Sequence, residues 1–496
     1  MRIAFVQDII QFSIPLGTTL IAGTLRQGGH EVDVFAVEND LDKTIRELEQ
    51  YKPDAIAFSV ITGSHQEYVI IARAIKQKLN IPIIWGGPHA TFSPKIVEED
   101  YADAVCVGEG EEAVMEFANA FDSEGKKLPT KIANFWVKIN GEIYRNAVRP
   151  RNKSLDDLPY AARDLFLDKF PILKKHGVKH FMAHRGCPHK CTYCFNHTYN
   201  KMYLEQAGDK KVLFSRTPDS IVDEILWLKK TETIKMVQFV DDVFTVHKKW
   251  TLDFAKIYEK RCRIPFAINA RFDHMDEEIV SSLAKAGLSV VNAGIESGND
   301  YMRNKVMVRE QTLESIFLAG SLLKKYGVKL HAENVLGNPG ETFDMSMETL
   351  KLNMKLEPNI ANAAIFAPYP GLKMTQYAID EGYFDGNFDK LEATYFDKSV
   401  LKFKKKEDER KIQNLRCFFS LLAHNPWLLR FIKPLLNLPF NRVYWTIGNF
   451  VDGYYLRKSI TYKQNPMEFI SSLIHFFTNY RNSRKLSKDI TCIKQN

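Results

Sequence analysis

Three cysteines stand close together in the run His184-Arg-Gly-Cys-Pro-His-Lys-Cys-Thr-Tyr-Cys-Phe-Asn-His197. Three residues separate Cys187 from Cys191, and two separate Cys191 from Cys194. Gly186 and Pro188 open the run as a loop, which lets the three thiolates converge on one centre. Soft thiolates select iron–sulfur clusters, zinc or Cu(I). Zinc and cubane clusters both ordinarily take a fourth protein ligand. His184, His189 and His197 are candidates for zinc's fourth position. The other reading is an iron without a fourth protein ligand, left to bind a small molecule.

The cysteines need a scaffold, and residues 176–400 supply the pattern of one. Strands are predicted at Val178–His184, Met236–Asp241, Phe266–Asn269, Val290–Glu296, Lys329–Leu336 and Ala361–Pro368, with helices between. This βα alternation predicts a partial (β/α)6 barrel. Active residues of barrels sit at the carboxyl ends of strands. Those ends carry the cysteine loop, then Asp241-Asp242, Asn269-Ala-Arg271, Gly294-Ile-Glu296-Ser-Gly298, Gly337-Asn-Pro-Gly340-Glu341-Thr342 and Pro368-Tyr-Pro370-Gly371.

Residues 1–125 alternate in the same way and predict a doubly wound parallel α/β sheet. Ligands of such sheets bind at the carboxyl ends of the strands. There the sequence places Gln7–Asp8, Ser59–Thr62, Gly86–His89 and Gly108–Gly110. Residues 126–175 read as a linker with a hairpin around Asn140-Gly141.

The Cys187–Cys194 spacing, with Tyr193 before the last cysteine, resembles the cluster loop of the radical S-adenosylmethionine (radical SAM) enzymes. The strand-end runs FVDDVFT, NARFD, GIESG, LGNPGET and YPG resemble that family too. The stretches PLGTTLIAGTLRQGGHEV, DAIAFSVITG, WGGPHATFSP and ADAVCVGEGE resemble the cobalamin (B12)-binding domain that precedes many of these enzymes. The resemblance covers roughly residues 1–375. It implies a [4Fe–4S] cluster on Cys187, Cys191 and Cys194. One electron from it, supplied by a donor such as flavodoxin or ferredoxin, cleaves SAM to a 5′-deoxyadenosyl radical. It implies SAM contacts at Tyr193, Asp241, Arg271 and Glu296, with Arg271 or Arg303 for the SAM carboxylate. It implies cobalamin contacts at Ser59, Thr62, Gly86, Gly87, His89, Gly108 and Gly110. Some cobalamin domains carry an Asp-x-His-x-x-Gly loop whose histidine ligates cobalt. The equivalent turn here, Asp8-Ile-Ile-Gln-Phe-Ser13, has no histidine, so cobalamin is expected without that axial ligand. His89 is expected to be a contact rather than a cobalt ligand. The activity implied is methylation of an unactivated carbon. Ring formation or rearrangement without methyl transfer is the alternative enzyme reading, and a zinc-containing binding protein the alternative from another class. The cofactors carry the hard chemistry, so no side chain is assigned as a general acid or base.

The chain of 496 residues carries a net charge of +8, unevenly placed. Residues 401–496 hold 18 Lys+Arg and 6 Asp+Glu, or +12, leaving 8 − 12 = −4 for the rest. This region is expected to be mostly helical. Three readings stand for it: a cap on the barrel, a surface lying on anionic membrane, or a nucleic-acid contact. No recognition motif accompanies the charge, so no specific nucleic acid is expected. The membrane reading leaves a lipid-like substrate open beside an ordinary small molecule. Seven cysteines, three of them clustered, read as reduced-compartment usage. A cytoplasmic protein, peripheral to the membrane if the tail binds it, is therefore expected.

Overall fold

The computed structural model describes residues 1–459 except 11, 12, 39, 124, 392–398 and 441. Cys492, the end of the basic tail and two residues of the turn after Asp8 lie outside the described residues. The chain forms two compact units. The first holds Met1–His180 and Lys201–Lys210; the second holds Phe181–Asn200 and the described residues from 211 onward.

In the first unit, β1 (Arg2–Gln7), α1 (Leu16–Gln27), β2 (Glu31–Ala36), α2 (Leu41–Tyr51), β3 (Ala55–Ser59), α3 (His65–Lys78), β4 (Ile83–Gly86) and α4 (Gly87–Phe92) alternate. Then come β5 (Ala104–Cys106), α5 (Glu111–Ser123), β6 (Phe135–Ile139), β7 (Glu142–Arg145) and two short helices, α6 (Asp164–Leu167) and α7 (Pro171–Lys175). The sheet order is β2-β1-β3-β4-β5-β6-β7, and β1 to β5 pair in parallel. Both faces of these strands are covered, which is why Ile83-Ile84-Trp85 and Ala104-Val105-Cys106 are apolar throughout. The strand order reverses at β1, between β2 and β3, and opens a crevice at the carboxyl ends of β1 and β3. One expectation is corrected. The hairpin β6–β7 is not part of a separate linker, because β6 pairs antiparallel with β5 and extends this sheet.

The second sheet begins with β8 (Val178–Phe181), followed by the two-residue strand β9 (His184–Arg185), α8 (Phe195–Ala207) and β10 (Phe214–Ser215), which pairs with β9. Next come α9 (Pro218–Leu228), β11 (Met236–Phe239), α10 (Lys248–Arg261), β12 (Phe266–Ala270), α11 (Glu277–Ala286), β13 (Leu288–Glu296), α12 (Leu313–Lys325) and β14 (Lys329–Leu336). The unit ends with α13 (Phe343–Leu356), β15 (Ile360–Ile365), α14 (Lys373–Asp380), α15 (Lys406–His424), α16 (Leu429–Leu435) and α17 (Arg442–Ser459). The sheet order is β15-β14-β13-β12-β11-β8, so the barrel is open, with β15 and β8 at its edges. Strands β11 to β15 pair in parallel.

Four helix starts around this sheet are set by side-chain caps. Thr217, Asp276, Thr312 and Thr342 cap α9, α11, α12 and α13 by accepting a backbone N–H three residues on. Burial alternates along β14: Leu330, Ala332, Asn334 and Leu336 are buried, and the residues between them less so. The less buried face carries polar groups that bond across strands. Asn292 donates to Asn269 at 3.0 Å, Asn269 to the Asp241 carbonyl at 3.0 Å, and Asn362 to Glu333 at 2.8 Å. Helix α15 covers the outer side of β14 and β15 with Ile412, Leu415 and Phe419 against Leu336 and Leu350.

Candidate functional site

The cysteine loop leaves β9 at Gly186, whose φ of +84° only glycine adopts readily. Cys187 and Cys191 are buried and Cys194 half-buried. The loop is tied down from several sides. Asn200 donates to the Cys187 carbonyl at 3.1 Å. Thr192 donates its N–H to Met307 O at 3.0 Å and its hydroxyl to Val306 O at 2.7 Å, and its own carbonyl accepts from Met374 N at 3.0 Å. Burial pushes the Cys187 thiol up to about 11 and the Cys194 thiol to about 12, and each feels Cys191 as well. Two N–H donors face sulfur: Arg271 Nη1 lies 3.8 Å from Cys191 Sγ, and Asn196 Nδ2 lies 3.7 Å from Cys194 Sγ. Such donors suit thiolates that carry a cluster's charge. No group of three or more His, Cys, Asp or Glu among the described residues is arranged around one metal ion. Three thiols with N–H donors facing two of their sulfurs fit a cluster.

Asp241 is fully buried, and its carboxylate accepts from Ala183 N at 3.1 Å and His184 N at 2.5 Å. Burial pushes its pKa up to about 7 against the pull of those amides. The structure places the Asp241 oxygens on the backbone between β8 and β9, just ahead of the cysteines. Its neighbour Asp242 is the carboxylate exposed toward the cysteines. It accepts from Asn196 and adds negative charge beside Cys187 and Cys194.

Strand β13 ends in a register shift between Gly294 and Glu296. Glu296 has φ +66°, a conformation that costs a non-glycine residue about 1–2 kcal/mol. The bend aims its carboxylate at Tyr193, whose hydroxyl donates to Glu296 Oε1 at 3.1 Å. Arg309 donates to the Tyr193 oxygen at 2.7 Å, lies 3.5 Å from Glu296 Oε1, and reaches Gly294 O at 2.7 Å. Burial alone would lower the pKa of Arg309, but Tyr193 and Glu296 together raise it. Tyr193 and Glu296 thus come together, with Arg309 as a third member that no strand-end rule indicates. Arg271 lies beside them but turns to Asp273 at 2.9 Å, to Arg309 O at 2.7 Å and to Cys191. Arg303 is fully buried and donates to Gln311 O, Ser297 O and Asp300. Its donors hold the π-helical turn Tyr301–Val306.

In the first unit, β3 and β4 bring Ser59, Thr62, Gly86, Gly87 and His89 together. Ser59 pairs with Gly86, and Val60 donates to Gly86 O at 2.9 Å. A Cβ on Gly87, at φ +87°, would lie 2.7 Å from Val60 N. Thr62 Oγ1 lies 3.0 Å from His89 Nδ1, and the His65 and His89 rings stack at 4.3 Å. Burial, helped by His65, pushes His89 down to about 3, so it is neutral. Tyr68 donates to Asp8 at 3.2 Å. Among the described residues, two buried polar atoms here have no partner: Gln7 Nε2 and Glu67 Oε2. Burial pushes Glu67 up to about 7. An orphaned donor and acceptor at a crevice fit a ligand such as cobalamin, whose rim carries many amides. Gly108 and Gly110 are placed differently. A Cβ on Gly108 would strike Tyr203, whose hydroxyl accepts from Glu109 N at 2.7 Å, and one on Gly110 would crowd Ile21. Both serve packing within the unit. His65, Glu67 and Tyr68 escape sequence reasoning because they lie in the first turn of α3, not on a strand end.

Comparison with known proteins agrees with this geometry. Residues 6–118 match the B12 binding domain, and residues 182–352 match the radical SAM superfamily. The chain belongs to the radical SAM enzymes that carry a B12-binding domain. It is an enzyme of SAM, a [4Fe–4S] cluster and cobalamin. It is 28% identical over 379 residues to an uncharacterized methyltransferase of Pyrococcus horikoshii, covering 74% of this chain and 78% of the relative. It is 27% identical over 373 residues to the anaerobic magnesium-protoporphyrin IX monomethyl ester cyclase of Rubrivivax gelatinosus, covering 72% and 64%. Among solved structures, the cobalamin-dependent radical enzyme OxsB shares the fold at TM-score 0.66 and 18% identity, over 99% of this chain and 80% of that one. The radical SAM methyltransferase TsrM from Kitasatospora setae does so at 0.61 and 18%, over 77% and 75%.

Proposed function

We propose that this chain methylates an unactivated carbon of a small molecule. The observation that carries the reading is one chain holding both a thiol loop fit for a cluster and a crevice with orphaned amide-seeking atoms. When bound, the cluster, SAM and cobalamin supply the radical and the methyl group; the protein orients them. Cys187, Cys191 and Cys194 hold the cluster. Glu296, set by Tyr193 and Arg309, binds the SAM ammonium, and Arg271 screens the cluster's negative charge. Ser59, Thr62, Gly86, Gly87 and His89 line the cobalamin crevice, with Gln7 and Glu67 bonding its amides. Cobalt takes no histidine from the turn after β1, and an electron donor such as flavodoxin or ferredoxin supplies the reducing electron.

The test uses protein purified without oxygen and reconstituted with iron, sulfide and hydroxocobalamin. About four irons and one cobalt per chain are expected. The expected products from SAM under reduction are 5′-deoxyadenosine and S-adenosylhomocysteine in equal amount, with labelled methyl entering substrate. The cyclase relative favours a second reading, ring formation without methyl transfer. Deoxyadenosine without S-adenosylhomocysteine would select that reading. In the Co(II) form loaded with cobinamide, which has no benzimidazole of its own, electron paramagnetic resonance lines split by an axial nitrogen would refute the missing histidine.

A further inference from the structure

Two helices at the end of the second unit present apolar stripes to solvent. The first stripe is Trp427, Phe431, Leu435 and Leu438, spaced four, four and three residues apart. The second, on α17, is Val443, Ile447, Phe450 and Tyr454, spaced four, three and four. The α17 set aligns along one side of its helix, while Phe431 and Leu435 lie on α16 with Trp427 in the 3-10 turn before it and Leu438 in the turn after it. Phe450 is 78% exposed and Trp427 61%, far more than ordinary rings on a soluble surface need. The other side of α17 is already used. Tyr444 packs edge-on against Phe418 at 5.0 Å, and a Cβ on Gly448 would lie 2.6 Å from the Cys417 carbonyl oxygen.

The charge around these stripes has one sign. Residues 425–459 contain Arg430, Lys433, Arg442, Arg457 and Lys458 but a single acid, Asp452. That acid turns toward Arg416 of α15, 3.8 Å away. Arg430 lays its guanidinium over the Phe431 ring at 4.6 Å, keeping its stem on apolar surface and its charge at the rim. No helix among the described residues is long and apolar enough to cross a membrane. Apolar stripes rimmed by cations suit a helix pair lying in the headgroup layer, with Trp427 and Tyr454 at the boundary.

We propose that α16 and α17 form a docking surface for an anionic lipid bilayer. The binding is peripheral and combines insertion of the two stripes with attraction of the basic rim to acidic headgroups. It is independent of the methyl-transfer reading, because neither stripe includes a cofactor contact.

The test is co-sedimentation of the full chain with phosphatidylcholine vesicles, with and without phosphatidylserine, at low and high salt. Binding to the phosphatidylserine vesicles is expected, with loss at high salt. The Trp427→Asp/Phe450→Asp and Lys433→Glu/Lys458→Glu variants should each bind at least about tenfold more weakly. Their iron content should match the parent chain. No binding to anionic vesicles, or binding that both variants retain, overturns the proposal. So does a dimer by light scattering that Phe450→Asp dissolves, since a second copy would then cover the stripes.

Discussion

Gly294→Ala tests the SAM site without removing any functional group. Gly294 is not in the left-handed region, so alanine strains no backbone there. Its Cβ would lie 2.0 Å from Glu296 Oε1 and 2.9 Å from Arg309 Nη2, where ordinary contact begins at 3.4 Å. The carboxylate must retreat by 3.4 − 2.0 = 1.4 Å. Movement of that size breaks its bond from Tyr193, now 3.1 Å. A hydrogen bond to a charged group is worth about 1.5–3 kcal/mol, which is about 10- to 150-fold in affinity. If Glu296 holds the SAM ammonium, SAM should bind reconstituted Gly294→Ala weaker by that factor, read by titration calorimetry. Iron content and melting temperature should stay near the parent values. Gly453→Ala, whose Cβ meets nothing within 4 Å, is the control. SAM affinity within about twofold of the parent would refute the assignment of Glu296, since RT ln 2 is far below the bond's worth.

Replacing Cys187, Cys191 or Cys194 singly with Ala should drop reconstituted iron from about four to below about one per chain, by iron assay, since each thiolate holds its own iron. Gly87→Ala combines a left-handed φ with a Cβ against Val60 backbone, so cobalt retention after desalting should fall while iron content stays. Asp241→Asn turns one acceptor into a donor facing the amides of Ala183 and His184, at a cost of about 1–3 kcal/mol, visible as a lower denaturant midpoint. Glu67 is held near 7 in the fold against an ordinary 4.5, so the native state binds more protons between those values. Glu67 should therefore contribute a fall of about 3 kcal/mol in the stability of the cofactor-free protein as pH rises from about 4.5 to 7, and Glu67→Gln should remove that part while the part due to Asp241, also held near 7, stays.

Strands and helices announce themselves through apolar periodicity, which is why Lys329–Leu336 reads correctly as a strand from its sequence. The cysteine loop announces itself through spacing, because three soft ligands within two helical turns have few other uses. The pairing of β6 with β5 has no such signal. A hairpin's own turn is local, but the edge it joins is a tertiary matter decided by which strand still has unpaired backbone. A strand-end rule also cannot distinguish Asp241 from Asp242. They are adjacent on the chain and point opposite ways, one into backbone amides and one toward the cysteines.

The arginines show most sharply where local reading stops. Sequence reasoning weighs Arg271 and Arg303 because both follow strand-end motifs. Arg303 spends its donors on carbonyls of its own turn, and Arg271 spends its donors on Asp273, on Arg309 O and on Cys191. The arginine beside Glu296 is Arg309, reached only after the π-helical turn brings the chain back. These groups form one connected set: Arg303 fixes the turn, the turn accepts Thr192 of the cysteine loop at Val306 and Met307, and Arg309 joins Tyr193 to Glu296. Every link to the cysteine loop, through Thr192 or Tyr193, crosses more than a hundred residues, so no window on the sequence contains the set. Coupling of this kind has a consequence for measurement. Loss of Arg303 should disturb both iron content and SAM affinity, whereas loss of Glu296 should disturb SAM affinity alone.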